Sequence, residues 1–320
     1  MSEIRFLNDE AIGYYHLMSR TVNGEAWFGD REKEVLREMI WQVAEFSGIR
    51  VMTYAVMKNH FHLLVQVPPK ETSKEISDRE IVRRYRVLYP KPTPWQPMGY
   101  RALAKYLKND DENAARIRES LVGRMHDVSW LMRTLKQRFS RWFNTSRKRF
   151  GPVWSERFKS VLVEGDSSAL KTVAAYIDLN AVRAGLVSDP KDYRFCGYAE
   201  AVAGSEAARA GLLILDRDLA GYRMTLYGFG SEEKLEKKAI PREEALQVLS
   251  KGGKLPLSML LRCKVRYLTE GKVLGSAEFV AEQLAREKAS RKKPGVPKSM
   301  KGADWGELTV GKGCRKNLFG

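Results

Sequence analysis

The feature that most constrains this chain is a pair of β-rich runs set almost end to end. Residues 49–57, IRVMTYAVM, and residues 60–67, HFHLLVQV, are separated only by Lys58 and Asn59, and Asn59 breaks the pattern. Pro68 and Pro69 stop the second run, because proline supplies no ladder N–H. Ahead of the pair, residues 11–20, AIGYYHLMSR, read as a first strand and residues 21–29 as a turn. Asp30 is a candidate cap for a helix that runs to Phe46 on the spacing Val35, Met39, Ile40, Val43, Ala44, with Gly48 ending it. A β-α-β-β order followed by further helix and strand predicts a split-βαβ arrangement. The expected fold class is α+β: a ferredoxin-like αβ sandwich, an antiparallel sheet with helices on one face.

The rest of the chain divides by texture. Residues 68–123 carry clustered Pro90, Pro92, Pro94 and Pro97 among charges and read as a helical, partly irregular insertion. Residues 126–144 return to helical spacing, 150–163 turn and then run as a strand, and 166–184 read as one helix. That helix is capped by Asp166 or Ser167 and ended by Gly185. These elements make a first domain over 1–203. Residues 204–240 mix glycine with charge and predict a linker. Residues 241–320 predict a small, mostly helical, basic C-terminal region. There, LLRCKVRYL and SAEFVAEQL, with LTEGKVLG between them, suggest either a helix–turn–helix or a helical pair capping the first domain. RKKPGVPK is a basic loop suited to sequence-blind phosphate contact.

Charge narrows the partner. Lys and Arg number 56 against 39 Asp and Glu, a net charge of +17. A surplus of this size points to nucleic acid, whether bound or processed. Three scattered cysteines, Cys196, Cys263 and Cys314, offer no disulfide framework or zinc pattern, and the expectation is a reducing, cytoplasmic compartment. No secretory signal opens the sequence and no apolar run reaches membrane-spanning length, so no membrane is expected.

Two constellations carry chemistry. On a strand, His60 and His62 share a face, while Leu63, Val65 and Val67 point the other way. Two such imidazoles can bind a divalent metal, although an HxH pair alone is more often structural. Tyr176 and Asn180, four apart, share a helical face beside the apolar stripe, with Arg183 near the same line. Asn180 offers an amide oxygen as a third metal ligand and Tyr176 a hydroxyl nucleophile; alone, this pair too is more often structural. Together the two describe phosphoryl chemistry. A tyrosine hydroxyl keeps its proton at neutral pH and needs a polarised phosphate to attack. Attack would leave a phosphotyrosine and conserve the bond energy, which suits strand transfer better than hydrolysis. His16 and His126 read as structural, and the cysteines as without a role.

These residues resemble a family. MKNHFHLLVQVP looks like the HUH signature of single-tyrosine transposases, and AAYIDLNAVRAGLV looks like their catalytic helix. GYYHLMSRTVNG and GPVWSERFKSVLVE are similar to other segments of the group, and the branch most resembled is the REP-associated tyrosine transposases. The likeness runs from about residue 11 to 200 and is poorest over 68–123. It implies that His60, His62 and Asn180 hold Mg²⁺ or Mn²⁺. It also implies that Tyr176 attacks single-stranded or hairpin DNA, becomes joined to a 5′-phosphate and frees a 3′-hydroxyl. Two positions depart from the pattern: Lys58 and Ala181 stand where the family often has proline. Residues after 200 lie outside the resemblance, and dimer and monomer both stay open.

The expected DNA surface lies in 124–160, which holds ten Lys and Arg against two Asp and Glu, interleaved with seven Trp and Phe. Phe139 and Trp142 sit at core spacing. Arg147, Lys148, Arg149, Trp154 and Arg157 are the contact candidates near a turn, with Arg183 nearer the catalytic helix. The function these readings support is metal-dependent DNA transposition by a bacterial-type, nucleoid-associated protein. The alternatives are another HUH endonuclease, of replication-initiator or relaxase type, and a domesticated DNA-binding protein that does not cut.

Overall fold

A computed structural model describes residues 11–109, 111–165, 167–227, 242–287, 296–311 and 318–319. Strand β1 (Gly13–Arg20) leads to helix α1 (Asp30–Ser47), then β2 (Arg50–Val56) and β3 (His60–Val67). The insertion follows as α2 (Asp78–Leu88), α3 (Tyr100–Leu107) and α4 (Glu112–Val122). Then come α5 (Val128–Ser146), β4 (Lys159–Val163), α6 (Ser167–Asp178) and α7 (Asn180–Arg183). Gly48 ends α1 at φ +63°, a conformation open to glycine, and its N–H caps the carbonyls of Ala44 and Glu45. Gly29, not Asp30, holds the cap position of α1; the Glu32 carboxylate accepts from its N–H at 3.0 Å.

The first four strands stand in the order β2-β3-β1-β4, all antiparallel, which is the arrangement the β-α-β-β order implies. Register decides which helix meets which face. Met18 pairs with His62 and Arg20 with His60, so His16, Met18, Arg20, His60 and His62 share one face. On the opposite face Tyr54, paired with Leu63, meets Trp41 of α1 edge-on, and Phe28, Phe61, Phe139 and Trp154 interlock beneath α5. On the histidine face Thr53, paired with Leu64, donates its hydroxyl to Asp178 of α6 at 2.8 Å. The α+β class is borne out. Helices cover both faces rather than one: α1 and α5 take the apolar side, and α6 closes the other.

The C-terminal half corrects two further expectations. Within 204–240, read as a linker, residues 206–212 and 219–227 are helical. After α8 (Gly197–Val202) come α9 (Glu206–Leu212) and α10 (Leu219–Tyr227), which bury Ala208, Leu212, Tyr222 and Leu226. Helix α9 lies so close to β2 that a Cβ at Gly211 would fall 2.3 Å from the Val51 carbonyl. Further on, α11 (Arg242–Ser250), α12 (Leu257–Leu260) and α13 (Tyr267–Glu270) precede β5 (Val273–Gly275), and α14 (Ala277–Glu287) precedes β6 (Lys298–Ser299) and β7 (Thr309–Gly311). The proposed helix–turn–helix is absent, because the connecting KVLG contains β5, which pairs parallel with β4. Strands β7 and β6 follow it, giving a mixed seven-stranded sheet. The C-terminal region is mostly helical, and its three short strands extend the sheet. Most of RKKPGVPK, with Asp166 and Cys314, lies outside the described residues. Among the described residues no helix is long and apolar enough to cross a membrane.

Candidate active site

The site is assembled where β1, β3 and the α6–α7 helix meet. The expected helix 166–184 breaks at Leu179 (ψ 3°), yet the 5→1 bonds Leu179 N–H to Ala175 O and Arg183 N–H to Leu179 O bridge the break. Tyr176 and Asn180 therefore keep their shared side. Gly185 closes the segment at φ +68°. Helix α6 is pinned by Asp178, fully buried, which accepts from Thr53 Oγ1, Tyr222 Oη and the Tyr198 N–H. Burial nevertheless pushes the Asp178 carboxyl up to about 6, against the lowering effect of those donors.

Four rings meet there. His60 and His62 lie edge-on with centroids 5.1 Å apart, and Tyr176 stands edge-on to His62 at 6.2 Å. Asn180 lies beside His60, where its amide works against the lowering of the His60 imidazole. The two imidazoles and the Tyr176–Asn180 pair, far apart in sequence, are thus brought together. The fourth ring, His16, was read from the sequence as structural. It sits 6.3 Å from Tyr176, and its Nε2 lies 2.8 Å from His62 Nδ1. Its other nitrogen, Nδ1, lies 2.8 Å from the Leu268 carbonyl oxygen. The available signal was parity: an even-numbered β1 residue shares the face of His60 and His62 once β1 pairs antiparallel with β3. That register is a tertiary fact.

Electrostatics follow from burial and a ring of cations. Burial lowers His16 to about 4 and His60 to about 3, and holds His62 well below the ordinary imidazole range. Arg20, Arg183 and Lys264 add to the effect at His60. All three imidazoles are neutral at pH 7. Among the described residues, Arg20, Arg183 and Lys264 form no ion pair with a carboxylate. Arg183 is half-buried at the site: its guanidinium stacks 4.0 Å over the Tyr176 ring and donates to the carbonyls of Tyr176 and Leu261. Cations gathered around neutral nitrogen donors make a place for an anion such as a phosphate.

The donor set fits a divalent cation. Asn59 donates its amide N–H to the Gly24 carbonyl, so its Oδ1 accepts from His60 Nδ1 at 2.7 Å and leaves His60 Nε2 bare. Neutral imidazoles and an amide lie together, and no carboxylate is among them. Among the described residues no three His, Cys, Asp or Glu side chains are grouped as a metal site. An ion here would rest on the two imidazoles and the Asn180 amide.

The other surface candidates separate. Arg147 is paired with Glu32 at 2.7 Å, and Arg149 lies 4.3 Å over the Trp27 ring, so both are tied to the start of α1. Lys148 is exposed at φ +48°. Trp154 is half-buried, wedged among Phe28, Phe61 and Phe139, and donates its indole N–H to the Lys136 carbonyl. Arg157 is exposed and, with Trp130, Arg133, Lys136, Arg141 and Phe158, lines a groove of about 740 Å³ between α5 and the 152–158 loop. The far side of that loop touches the site, since the Ser155 N–H donates to the Arg20 carbonyl at 3.0 Å.

Residues 12–86 match the family model described as Transposase IS200 like, a segment that holds His16, His60 and His62 and ends ahead of Tyr176. A solved structure of a REP-associated tyrosine transposase bound to a REP hairpin is similar at 15% identity over 64% of this chain and 87% of that one, with a TM-score of 0.39. No curated protein matches the chain.

Proposed function

From residues 12–86, which carry the sequence of the IS200-like transposase family, we propose that this protein cuts and rejoins single-stranded DNA at hairpin or repeat ends. The proposed route is a 5′-phosphotyrosine on Tyr176. The observation that supports it is the meeting of Tyr176 and His62, rings 6.2 Å apart, over the sheet face that also carries His60, with Asn180 beside His60. The Tyr176 oxygen attacks phosphorus and the bond to the 3′ oxygen breaks. The phenolic proton leaves to solvent and the departing oxygen takes one up. One phosphoester replaces another, so the reverse step needs no ATP. Mg²⁺ or Mn²⁺, held by His60, His62 and Asn180, would draw charge from a phosphate oxygen. Arg20, Arg183 and Lys264 hold the phosphate, and their positive charge favours the charge that builds on it in the transition state.

The test is incubation with single-stranded hairpin DNA and Mn²⁺, followed by a denaturing gel. A covalent protein–DNA band that EDTA removes is the expected result. A second reading, a binder that no longer cuts, draws on one observation: Tyr176 is only 3% exposed, so DNA reaches it only if its cover moves. Retained binding with no band on any single-stranded substrate would favour that reading.

The groove beside the site supports a path for the DNA flank. Arg133 lies 5.2 Å over Trp130, and Arg141 lies 4.6 Å over Trp95, which is 71% exposed. Cations beside accessible rings suit an unpaired strand. The double variant Arg133→Glu, Arg141→Glu is expected to weaken binding by at least about tenfold in low salt. It should also flatten the slope of log affinity against log salt by about 2, near 1 for each lost phosphate contact. Fluorescence anisotropy from low to high salt measures both, and an unchanged slope would remove the groove from the DNA path.

A further inference from the structure

Each ligating imidazole must present one bare nitrogen, and the partner of its other nitrogen decides which. For His60 the neighbour within its own hairpin, Asn59, accepts the Nδ1 proton. His62 meets His16 instead, at 2.8 Å from its Nδ1. Two imidazoles in contact can exchange roles, so the pair alone sets no direction. The direction comes from the far end. His16 Nδ1 faces the Leu268 carbonyl at 2.8 Å, and a carbonyl oxygen only accepts, so His16 carries its proton on Nδ1. A neutral imidazole has one such proton. His16 Nε2 is then bare and accepts from His62, which must be protonated on Nδ1, and His62 Nε2 keeps its lone pair.

We infer that His16 is a positioning residue: anchored by the Leu268 carbonyl, it fixes His62 in the tautomer whose Nε2 can ligate a divalent cation. The inference rests on the proposed metal role of His62. It also gives residues beyond 200 a part in the site. The carbonyl comes from α13, which leads into β5, and β5 is held on β4 through Leu162 and Val273. Leu261, just past α12, accepts from Arg183 at 2.8 Å and so secures the cation stacked on Tyr176. His16 is fully buried, as expected of a group that sets geometry and touches no substrate. Partners of this kind orient metal-ligating histidines, and their loss typically costs about 10- to 100-fold in metal affinity.

Two measurements on the full chain decide it. Long-range ¹H–¹⁵N correlation spectra of the metal-free protein report the tautomer of each histidine. The expected pattern is Nδ1–H on both His16 and His62. Mn²⁺ titration followed by EPR reports affinity without any reaction. His16→Leu is expected to weaken Mn²⁺ binding by at least about tenfold, whereas His16→Gln, whose amide oxygen can accept from His62 Nδ1, should recover most of it. Thermal melts establish that the variants fold; should His16→Leu not fold, the wild-type tautomers and His16→Gln still decide. Nε2–H on wild-type His62, or Mn²⁺ affinity within twofold in folded His16→Leu, would overturn the inference. Wild-type protein with the expected tautomers but no Mn²⁺ affinity would overturn the assigned metal role, while leaving a metal-independent Tyr176 adduct to be judged on the gel.

Discussion

Tyr176→Phe is expected to abolish the covalent DNA adduct, slowing its formation by at least about a thousandfold, because it removes the attacking oxygen. The variant should fold. Phe keeps the edge contacts to His16 and His62 and the face under Arg183, so the cost of the lost hydroxyl is about 1 kcal/mol or less. DNA affinity should stay within about twofold of wild type, since the cations are untouched. Nearby tyrosines are poor substitutes. Tyr54 donates to Glu200, Tyr193 to the Val56 carbonyl and Tyr222 to Asp178, and burial pushes each of these phenols up and away from ionisation. An adduct that survives in Tyr176→Phe would move the nucleophile elsewhere.

The largest stability effect is expected at Asp178. Asp178→Ala removes the common acceptor of Thr53, Tyr222 and the Tyr198 N–H, all buried, and leaves three donors unpaired. The expected loss is about 3–5 kcal/mol, read by urea unfolding, and adduct formation should fall with it because α6 carries Tyr176 two residues earlier. Asp178→Asn keeps the acceptor oxygen and should lose much less. The pH dependence separates the two effects. The folded carboxyl titrates near 6 rather than at the ordinary 3.8, so the folded state binds the proton more tightly than the unfolded one. Its stabilising contribution is complete below about pH 4 and is lost as pH rises through 6. Asn does not titrate, so the stability of Asp178→Asn relative to wild type should improve from pH 4 to pH 7, by up to about 3 kcal/mol at about 1.4 kcal/mol per pH unit. A difference flat with pH would mean that the carboxyl is already ionised at pH 4.

Much of the fold was legible because its signals are local. β1, α1, β2 and β3 follow from alternation, helical spacing and the breaks at Gly48, Asn59 and Pro68. The site pairs were legible as pairs for the same reason, since i,i+2 on a strand and i,i+4 on a helix each fix a shared face. What escaped depends on contacts distant in sequence. β5 is three residues long, too short for a period, and exists because β4 offers it an edge. His16 joins the site only through the β1–β3 register and a carbonyl 252 residues away. Arg183 reads as lying near the line of Tyr176 and Asn180, but the Leu261 carbonyl that accepts from it comes from 78 residues further on. Trp154 reads as an exposed turn aromatic, whereas Phe28, Phe61 and Phe139 leave a gap that its ring fills.

The central claim, that the Tyr176 oxygen forms the DNA link, is tested most directly by mapping the adduct. Wild-type protein is reacted with a single-stranded hairpin and Mn²⁺, then digested with nuclease and trypsin and examined by tandem mass spectrometry. The account predicts a nucleotide on the 172–183 peptide, TVAAYIDLNAVR, with fragment ions that locate the phosphate on Tyr176. A nucleotide on any other residue, with the 172–183 peptide recovered unmodified, would contradict it.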